Sequence, residues 1–242
     1  MASETLTETM VTAIPPAFFP AAPPPLENGD HLDSAEFARR YEAMPHIKKA
    51  ELIKGTVYMA SPVRFNAHGE QHGFVMAWLG VFRAYTPGVR LGDNCTLHID
   101  DDNEPQPDAV LFIDEARGGH ASINTNGYLE GAPELIVEIA ASTVSYDLHD
   151  KLETYQNAGV REYVVWRVYD HEIDWFALEN GKYVRLAANE TGLLASRVFP
   201  DLWLNANAML NGDLTRVVSD LQAGLATPEH AAFAQALANA PI

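Results

Sequence analysis

The sequence predicts an α/β (α+β) fold with a mixed β-sheet, and two observations lead to this prediction. The apolar run PELIVEIAA, the helical pattern SYDLHDKLETYQNAG and the strand-like run REYVVWRV follow one another between residues 133 and 168. A strand, a helix and a second strand in this order are typical of a parallel crossover. The other strand-like runs are separated by short turns, as antiparallel strands are. We therefore expect one parallel strand pair inside an otherwise antiparallel sheet.

The remaining elements are assigned in chain order from local patterns. DSAEFARRYEAM has helical periodicity, and Asp33 with Glu36 three positions later matches a helix-capping box. KAELIKGTVYMAS predicts two strands joined by a turn at Lys54 and Gly55, and NAHGEQHGFVMAWLGVFRAY predicts a helix. VRLGDNCTLHI, DAVLFI, EIDWFAL and KYVRLA are predicted strands, and two short helical patterns follow near the C-terminus.

Composition divides the 242 residues into three parts. Residues 1–30 are rich in Pro and Ala and predict an extended arm, whose Phe18-Phe19 pair is available to contact a neighbouring surface. Residues 31–204 are predicted to form the core domain, and residues 205–242 a helical extension. The length suits one substantial domain with appendages better than two full domains.

Composition also excludes several classes of protein. No apolar run reaches the roughly 20 residues of a membrane-spanning helix, and the acids and prolines near the N-terminus differ from a secretory signal. We therefore expect a cytoplasmic protein with no membrane partner. The single Cys95 excludes an intramolecular disulfide and a cysteine-rich zinc site. The formal charge of −17 disfavours a nucleic-acid binder, although an acidic cluster that binds divalent cations has the same signature.

Glu138 stands in the middle of IVEIAAST, a run that otherwise has the composition of a buried strand. Strand alternation places Glu134, Ile136 and Glu138 on one face and leaves the other face entirely apolar. A buried carboxylate needs a partner. Three environments would account for Glu138: a partly solvated edge strand, a structural ion pair or a metal site.

Three further charged residues are candidates for a site, and two of them have an ordinary structural explanation as well. Asp108 opens the strand AVLFI, but Pro-Asp before a strand is also common turn chemistry. Lys151 follows Asp147 by four residues, as in an Asp–Lys pair on a solvated helix face. Glu51 is placed beside apolar residues in AELIKG.

The sequence contains few signals for other kinds of chemistry. His68 and His72 are four residues apart, but glycine follows His68 where zinc proteases have glutamate, which favours a hydrogen-bonding or capping His68 over a zinc ligand. There is no phosphate-binding glycine-rich loop and no Gly-x-Ser-x-Gly elbow. Hydrolases that use a covalent nucleophile are therefore disfavoured.

Together, the candidate residues have the chemistry that phosphodiester hydrolysis requires. Two carboxylates on neighbouring strands can hold Mg²⁺ or Mn²⁺, which are hard cations that prefer oxygen ligands. A lysine beside them can orient or deprotonate the attacking water and stabilise charge on a phosphate. No covalent intermediate is needed.

The motifs QPDAVLFI, PELIVEIAAST and YDLHDKLETYQNAGVREYVVW, in this order, resemble the Uma-type family of restriction-endonuclease-like proteins in the PD-(D/E)XK nuclease superfamily. ELIKGTVYMASP followed by His68 is similar to the opening hairpin and helix of that family, and the match covers roughly residues 33–180. The resemblance implies a restriction-endonuclease-like core, a central mixed β-sheet flanked by α-helices. It also implies that Asp108 and Glu138 bind the metal, with Glu51 as an additional acid and His68 as a hydrogen-bonding neighbour.

The resemblance departs from the superfamily pattern at the catalytic lysine. That lysine usually lies two residues after the second acid, where this sequence has Ala140. The family places a lysine in the following helix instead, which implies Lys151 here. Pro133-Glu134 also imitates the Pro-Asp motif, but Asp108 is preferred because it precedes an uninterrupted strand at the expected point in the order.

The expected function is a metal-dependent endonuclease that cuts DNA with Mg²⁺ or Mn²⁺. A homodimer is expected, because two sites related by two-fold symmetry cut both strands of a duplex most simply. One alternative is a non-catalytic binding or assembly module on a nuclease-like scaffold. Another is a hydrolase of small phosphates or nucleotides, which would tolerate the acidic surface better.

Overall fold

A computed structural model describes residues 22–60 and 64–240, and most of the predicted N-terminal arm, including Phe18-Phe19, lies outside the described residues. In chain order the strands are β1 (Ala50–Ile53), β2 (Thr56–Met59), β3 (Val89–Asp93), β4 (Leu97–His98), β5 (Ala109–Ile113), β6 (Ala121–Ile123), β7 (Leu129–Gly131), β8 (Leu135–Ala140), β9 (Glu162–Arg167), β10 (Glu172–Glu179), β11 (Lys182–Arg185), β12 (Leu194–Ala195) and β13 (Trp203–Leu204).

The helices flank the strands on both sides of the main sheet. They are α1 (Ser34–Glu42), α2 (Gly69–Tyr85), α3 (Val144–Tyr146), α4 (Leu152–Ala158), α5 (Ala206–Leu210), α6 (Leu214–Leu225) and α7 (Pro228–Asn239). A π-helical turn, Asp147–Lys151, joins α3 to α4, and α4 ends at Gly159, whose φ of 84° lies in the left-handed region that glycine adopts readily. The region after residue 205 contains three helices where two were predicted.

The main sheet has six strands in the spatial order β11-β10-β9-β8-β5-β3. β8 and β9 are parallel, and every other neighbouring pair in this sheet is antiparallel. The predicted mixed sheet and its single parallel crossover are therefore confirmed. β8 lies in the interior of the sheet, so the first of the three environments considered for Glu138, a partly solvated edge strand, is excluded. Strand order cannot be read from one strand's own sequence.

The two faces of the sheet bury different sets of side chains. Leu135, Val137 and Ile139 point to a large apolar core that includes Trp78 of α2 and Val217 of α6, among other residues. Ile136 and Ala140 alternate with them and belong to a second core, on the side of α4. Glu138 lies on this second face, which agrees with the alternation seen in the sequence.

The hairpin β1–β2 forms a separate two-stranded sheet with a small core of its own. Leu52 and Val57 of the hairpin pack with Phe37 of α1 and with Leu26 from the segment before it. Asp33 caps α1 as predicted, because its side chain accepts a hydrogen bond from the Glu36 backbone N–H. The end of the predicted arm, residues 22–30, thus packs on the hairpin.

The predicted C-terminal extension packs against the main core. Val217, Leu221 and Leu237 are buried in the same apolar cluster as the sheet, and Trp78 Nε1 of α2 donates a hydrogen bond to the Trp203 carbonyl oxygen at 2.9 Å. Within the described ranges, no helix has the length and apolar character needed to span a membrane.

Two helical glycines are expected to respond in opposite directions to replacement by alanine. A Cβ at Gly80 in α2 would meet no heavy atom within 4 Å, whereas a Cβ at Gly224 in α6 would lie 2.4 Å from the Asp201 backbone oxygen. Gly80→Ala should raise the free energy of unfolding by about 0.5–1 kcal/mol through helix propensity. Gly224→Ala should lower it by about 1–3 kcal/mol, because α6 must move away from its neighbour. Urea denaturation of both variants checks the prediction, and changes of the same sign would contradict it.

Glu162, at the start of β9, is expected to make stability depend on pH. Its carboxylate is buried and accepts hydrogen bonds from Ser196 Oγ at 2.7 Å and from the Arg197 backbone N–H at 2.5 Å. Burial outweighs these bonds and raises the pKa of Glu162 to about 7. Because the pKa of Glu162 is higher in the folded protein than in the unfolded one, its contribution to the free energy of unfolding is largest at low pH. That contribution is lost as the pH rises through about 7.

The measurement is the free energy of unfolding of wild type and Glu162→Gln between about pH 5 and pH 8. Wild type should lose up to about 3 kcal/mol relative to the variant across this interval, since one pKa unit corresponds to about 1.4 kcal/mol. A constant difference between the two proteins would show that Glu162 does not titrate differently on unfolding.

Candidate active site

The candidate site lies where the two parallel strands β8 and β9 end and β5 begins. A cavity of about 880 Å³ opens there, lined by the hairpin, the start of α2 and the α3–α4 segment. Continuing the antiparallel register Ala109↔Val137 by one residue places Asp108 opposite Glu138. Directly opposed residues on one face have Cβ atoms roughly 5 Å apart, so the topology itself brings these two carboxylates together.

Asp108 is buried at the mouth of β5, where three groups contact its carboxylate. The Ile139 backbone N–H donates to Oδ2 at 2.8 Å, His68 Nε2 lies 3.1 Å from the same oxygen, and Lys49 Nζ lies 3.1 Å from Oδ1. Burial alone would raise the pKa of Asp108, but His68, Lys49 and the Ile139 N–H together hold it well below its usual value. Asp108 is therefore ionised at neutral pH, and its role exceeds that of a simple turn residue.

Glu138 is buried in the centre of β8 and has two hydrogen-bond donors. Lys151 Nζ donates to Oε1 at 2.8 Å and the Tyr155 hydroxyl donates to the same oxygen at 2.9 Å. Burial raises the pKa of Glu138 to about 8, since Asp108 and Asp147 oppose the effect of Lys151. Of the three environments considered for Glu138, the described side chains show the ion pair.

Lys151 lies at the end of the π-helical turn and points into the protein. Its Nζ lies 2.8 Å from Glu51 Oε1, 2.8 Å from Glu138 Oε1 and 3.9 Å from Asp147 Oδ1. The ordinary explanation of the spacing, an Asp147–Lys151 pair on a solvated helix face, is excluded because this helix face packs on the sheet and both side chains are buried. Burial lowers the pKa of Lys151, but the surrounding carboxylates raise it well above its usual value. Lys151 is thus an ammonium group that donates hydrogen bonds and cannot accept a proton from water.

Glu51 connects the hairpin to the site. It lies in β1, and its Oε1 accepts hydrogen bonds from Lys151 Nζ and from the Gln106 backbone N–H at 2.7 Å. The same carboxylate therefore fixes the segment that leads into Asp108 and neutralises the buried lysine.

The two histidines lie near Asp108 but do not converge on a shared point. His68 caps the beginning of α2 only with its backbone, and its ring faces the Asp108 carboxylate. His72 Nε2 lies 3.0 Å from the Asp108 carbonyl oxygen and 3.2 Å from Asp93 Oδ1. The hydrogen bond expected for His68 is present, and its partner is Asp108.

Sequence reasoning missed two residues of this cluster. Lys49 precedes Glu51 by two positions, so strand alternation could have placed both on one side. Tyr155 follows Lys151 by four positions in a helix, which puts both on the same face. In each case the signal was periodic spacing from a residue already identified.

The cavity contains more acidic than basic side chains. Four buried carboxylates, those of Glu51, Asp108, Glu138 and Asp147, face the two ammonium groups of Lys49 and Lys151. If all six ionise, two negative charges remain, which equals the charge of one divalent cation. No three His, Cys, Asp or Glu side chains of the described ranges are grouped closely enough to bind a metal by themselves.

A family model described as "Uma2: Putative restriction endonuclease" matches residues 35–207. The chain belongs to the Uma2 family. The resemblance inferred from the sequence motifs is therefore confirmed, and it extends beyond the residues on which it was based.

A solved structure shows the same fold as this Uma2 protein. The chain is similar to the crystal structure of a putative nuclease belonging to DUF820 from Anabaena variabilis ATCC 29413, with a TM-score of 0.50 and 12% sequence identity. The match covers 77% of this chain and 97% of that chain. The predicted nuclease-like core is thus confirmed at the level of the fold. No curated protein matches the chain.

Replacing Lys151 by methionine is expected to destabilise the protein strongly at about pH 8. The variant would leave buried carboxylates without their counter-charge, which typically costs about 3–5 kcal/mol. The loss should shrink towards about pH 5, because burial has already raised the pKa values of Glu138 and Asp147 and these groups become protonated. Urea denaturation at both pH values checks this expectation.

Lys54→Met is the matched control for that measurement. Lys54 also contacts two carboxylates, Asp150 at 3.0 Å and Glu153 at 2.5 Å, but its side chain is 41% exposed. Solvent screens such pairs, so the control should change stability by less than about 1 kcal/mol. Equal effects of the two substitutions would contradict a structural role for the buried ion-pair cluster.

Proposed function

We propose that this Uma2 protein is a metal-dependent endonuclease that hydrolyses phosphodiester bonds of DNA by attack of an activated water. The observation that carries the proposal is the meeting of two opposed carboxylates and a buried ammonium group, Asp108, Glu138 and Lys151, in one cavity. Membership of the family and the nuclease-like fold support a nuclease function. The metal, the reaction and the DNA substrate are the proposal.

We propose Mg²⁺ or Mn²⁺ as the cofactor, bound by Asp108 and Glu138. Carboxylate oxygens are the ligands these cations prefer, and Mg²⁺ commonly uses only one or two carboxylates and completes its coordination with waters and substrate phosphates. A divalent cation would balance the two excess negative charges of the fully ionised cluster and so favour the ionised form of Glu138. The small number of grouped ligands is compatible with this mode of binding. When bound, such a cation supplies Lewis-acid polarisation of a phosphate oxygen and activation of water.

The protein's own groups have distinct roles in this proposal. Lys49 and His68 keep Asp108 ionised, so that its oxygens remain available as ligands. Lys151 supplies a fixed positive charge next to Glu138 that can orient water and stabilise the charge that develops on the phosphate. Glu51 and Tyr155 hold this ammonium group and its partner carboxylate in place.

A hydrolase of small phosphates or nucleotides is the second candidate. A cavity of about 880 Å³ has the size typical of small-molecule sites, which are roughly 300–1,000 Å³. The net charge of −17 also suits a small substrate better than a long polyanion.

A homodimer and a cytoplasmic location stay predictions. Gel filtration with light scattering would test the oligomeric state.

Purified wild type should cleave supercoiled plasmid or single-stranded DNA in the presence of Mn²⁺ or Mg²⁺, and EDTA should abolish the cleavage. Asp108→Asn and Glu138→Gln should each lower the rate at least about 100-fold, the scale of losing a preorganised electrostatic contact. Glu115→Gln, an exposed residue beyond the opposite end of β5, is the matched control and should cleave like wild type.

Thermal unfolding with Mn²⁺ provides an independent readout. A cation that binds only the folded state raises the melting temperature, and both substitutions should remove the shift. Equal cleavage by wild type and Glu138→Gln would identify a contaminant. Hydrolysis of nucleotides alone would favour the second candidate, and a folded protein with neither cleavage nor a metal-induced shift would indicate a non-catalytic module.

A further inference from the structure

Two large aromatic side chains are exposed at the opening of the candidate active site. Tyr169 lines the cavity and is 66% exposed. Phe65 is 73% exposed and lies in the short turn whose residues Arg64 and Ala67 line the same cavity. These two are the most exposed of the large hydrophobic side chains that the structure describes.

Both rings are carried by well-supported turns. Tyr169 lies between β9 and β10, where Arg167 bonds Asp174 at 2.7 Å across the strand pair. The Phe65 ring lies over the first turn of α2, since a Cβ at Gly69 would lie 3.8 Å from it. Among the described residues, neither ring stacks on another aromatic side chain, and both rings are largely exposed to solvent.

The aromatic surface continues into the cavity. Tyr58 and Tyr146 line its wall with ring centroids 4.2 Å apart, and Lys151 Nζ lies 5.3 Å from the centre of the Tyr146 ring. The same cavity is thus lined by the exposed Tyr169 and by an aromatic pair next to the buried ammonium group. A succession of rings beside a charged centre is suited to bases that follow a phosphate into the site.

The depth of the acidic cluster limits the form in which a nucleic acid can reach it. The side chains of Asp108 and Glu138 are only 3% and 4% exposed. A phosphate of a regular duplex is held in place by the stacked nucleotides on either side, so it cannot move independently into a deep site. An unpaired strand can bend and insert one nucleotide, which is also how enzymes reach groups inside a duplex.

The charge of the protein favours the same conclusion. A net charge of −17 opposes the long series of phosphate contacts on which duplex binding depends. Base stacking on aromatic rings does not require positive charge and tolerates any sequence. Lys49 and Arg64 supply local positive charge where the strand would enter.

We propose that Tyr169 and Phe65 form a stacking platform for unpaired bases, and that the substrate enters the cavity as single-stranded DNA. This inference rests on the proposed nuclease function and specifies the form of its substrate. Tyr169 is the principal contact because it lines the cavity itself, and Phe65 extends the platform outward.

The test is a binding measurement in Mn²⁺ with a fluorescein-labelled DNA strand of about 12 nucleotides, within the usual span of single-strand sites. Fluorescence anisotropy is recorded for wild type and for Glu138→Gln, and a denaturing gel establishes that the recovered strand is intact. A duplex of the same length, an RNA strand of the same sequence and a thymidine mononucleotide serve as competing ligands.

Single-stranded DNA should bind more tightly than the duplex, the RNA strand or the mononucleotide. Tyr169→Ala should weaken its binding by about tenfold and Phe65→Ala in the same direction, on the scale of one lost stacking contact. Tyr169→Phe should bind like wild type because it keeps the ring. Tyr85→Ala removes an equally exposed aromatic, 60% accessible, that does not line the cavity, and it should have no effect.

Several outcomes would overturn the inference: undiminished binding by Tyr169→Ala, equal affinity for duplex and single strand, equal affinity for the mononucleotide, tighter binding of RNA, or no binding of any strand. The outcome is separable from the nuclease proposal. Binding that depends on Tyr169 but occurs without cleavage would support the stacking platform and contradict the nuclease function. Cleavage of duplex DNA that is unaffected by Tyr169→Ala would support the nuclease function and contradict the stacking platform.

Discussion

The buried ammonium group of Lys151 is the constraint on which the candidate site depends. A charge removed from water needs close and well-directed partners, and Lys151 finds them on two separate sheets, Glu138 in β8 and Glu51 in β1. The lysine therefore does more than balance charge. It fixes the helical segment, the main sheet and the hairpin relative to one another, and the cavity lies between these three parts.

The topology of the sheet explains why the carboxylates meet at this point. Because β8 and β9 run parallel and β5 runs antiparallel to β8, the end of β8 lies beside the beginning of β5. Asp108 and Glu138 are consequently neighbours, although they lie 30 residues apart in the chain. The crossover from β8 to β9 then returns over the same face and brings Lys151 above them.

Much of this arrangement could be predicted from the sequence. The alternation in PELIVEIAA predicted the apolar face of β8 and showed that Glu138 is unusual there. The helical pattern that ends at Gly159, between two strand-like runs, predicted the parallel crossover. The position of β8 inside the sheet could not be inferred, because strand order depends on contacts distant in sequence. For the same reason, the depth of Lys151 was underestimated: spacing identifies a helix face but does not tell whether that face is covered.

The residues that were missed have a common physical origin. Lys49 and Tyr155 act on Asp108 and Glu138 only through tertiary packing, and nothing in their local sequence distinguishes them from ordinary surface or core residues. Their importance follows once the carboxylate positions are known, since each shares a face with a residue already assigned.

The β1–β2 hairpin is a structural unit separate from the main sheet. β1 and β2 form their own two-stranded sheet and pack with a small core of their own. They join the main body partly through backbone bonds between Leu52 and Glu104 at 2.7 and 3.2 Å. Local opening of such a unit is a common low-energy fluctuation. A molecule with the hairpin detached would keep its six-stranded sheet yet lack Lys49 and Glu51. For this chain, a folded main sheet and a complete candidate site are thus distinct conditions.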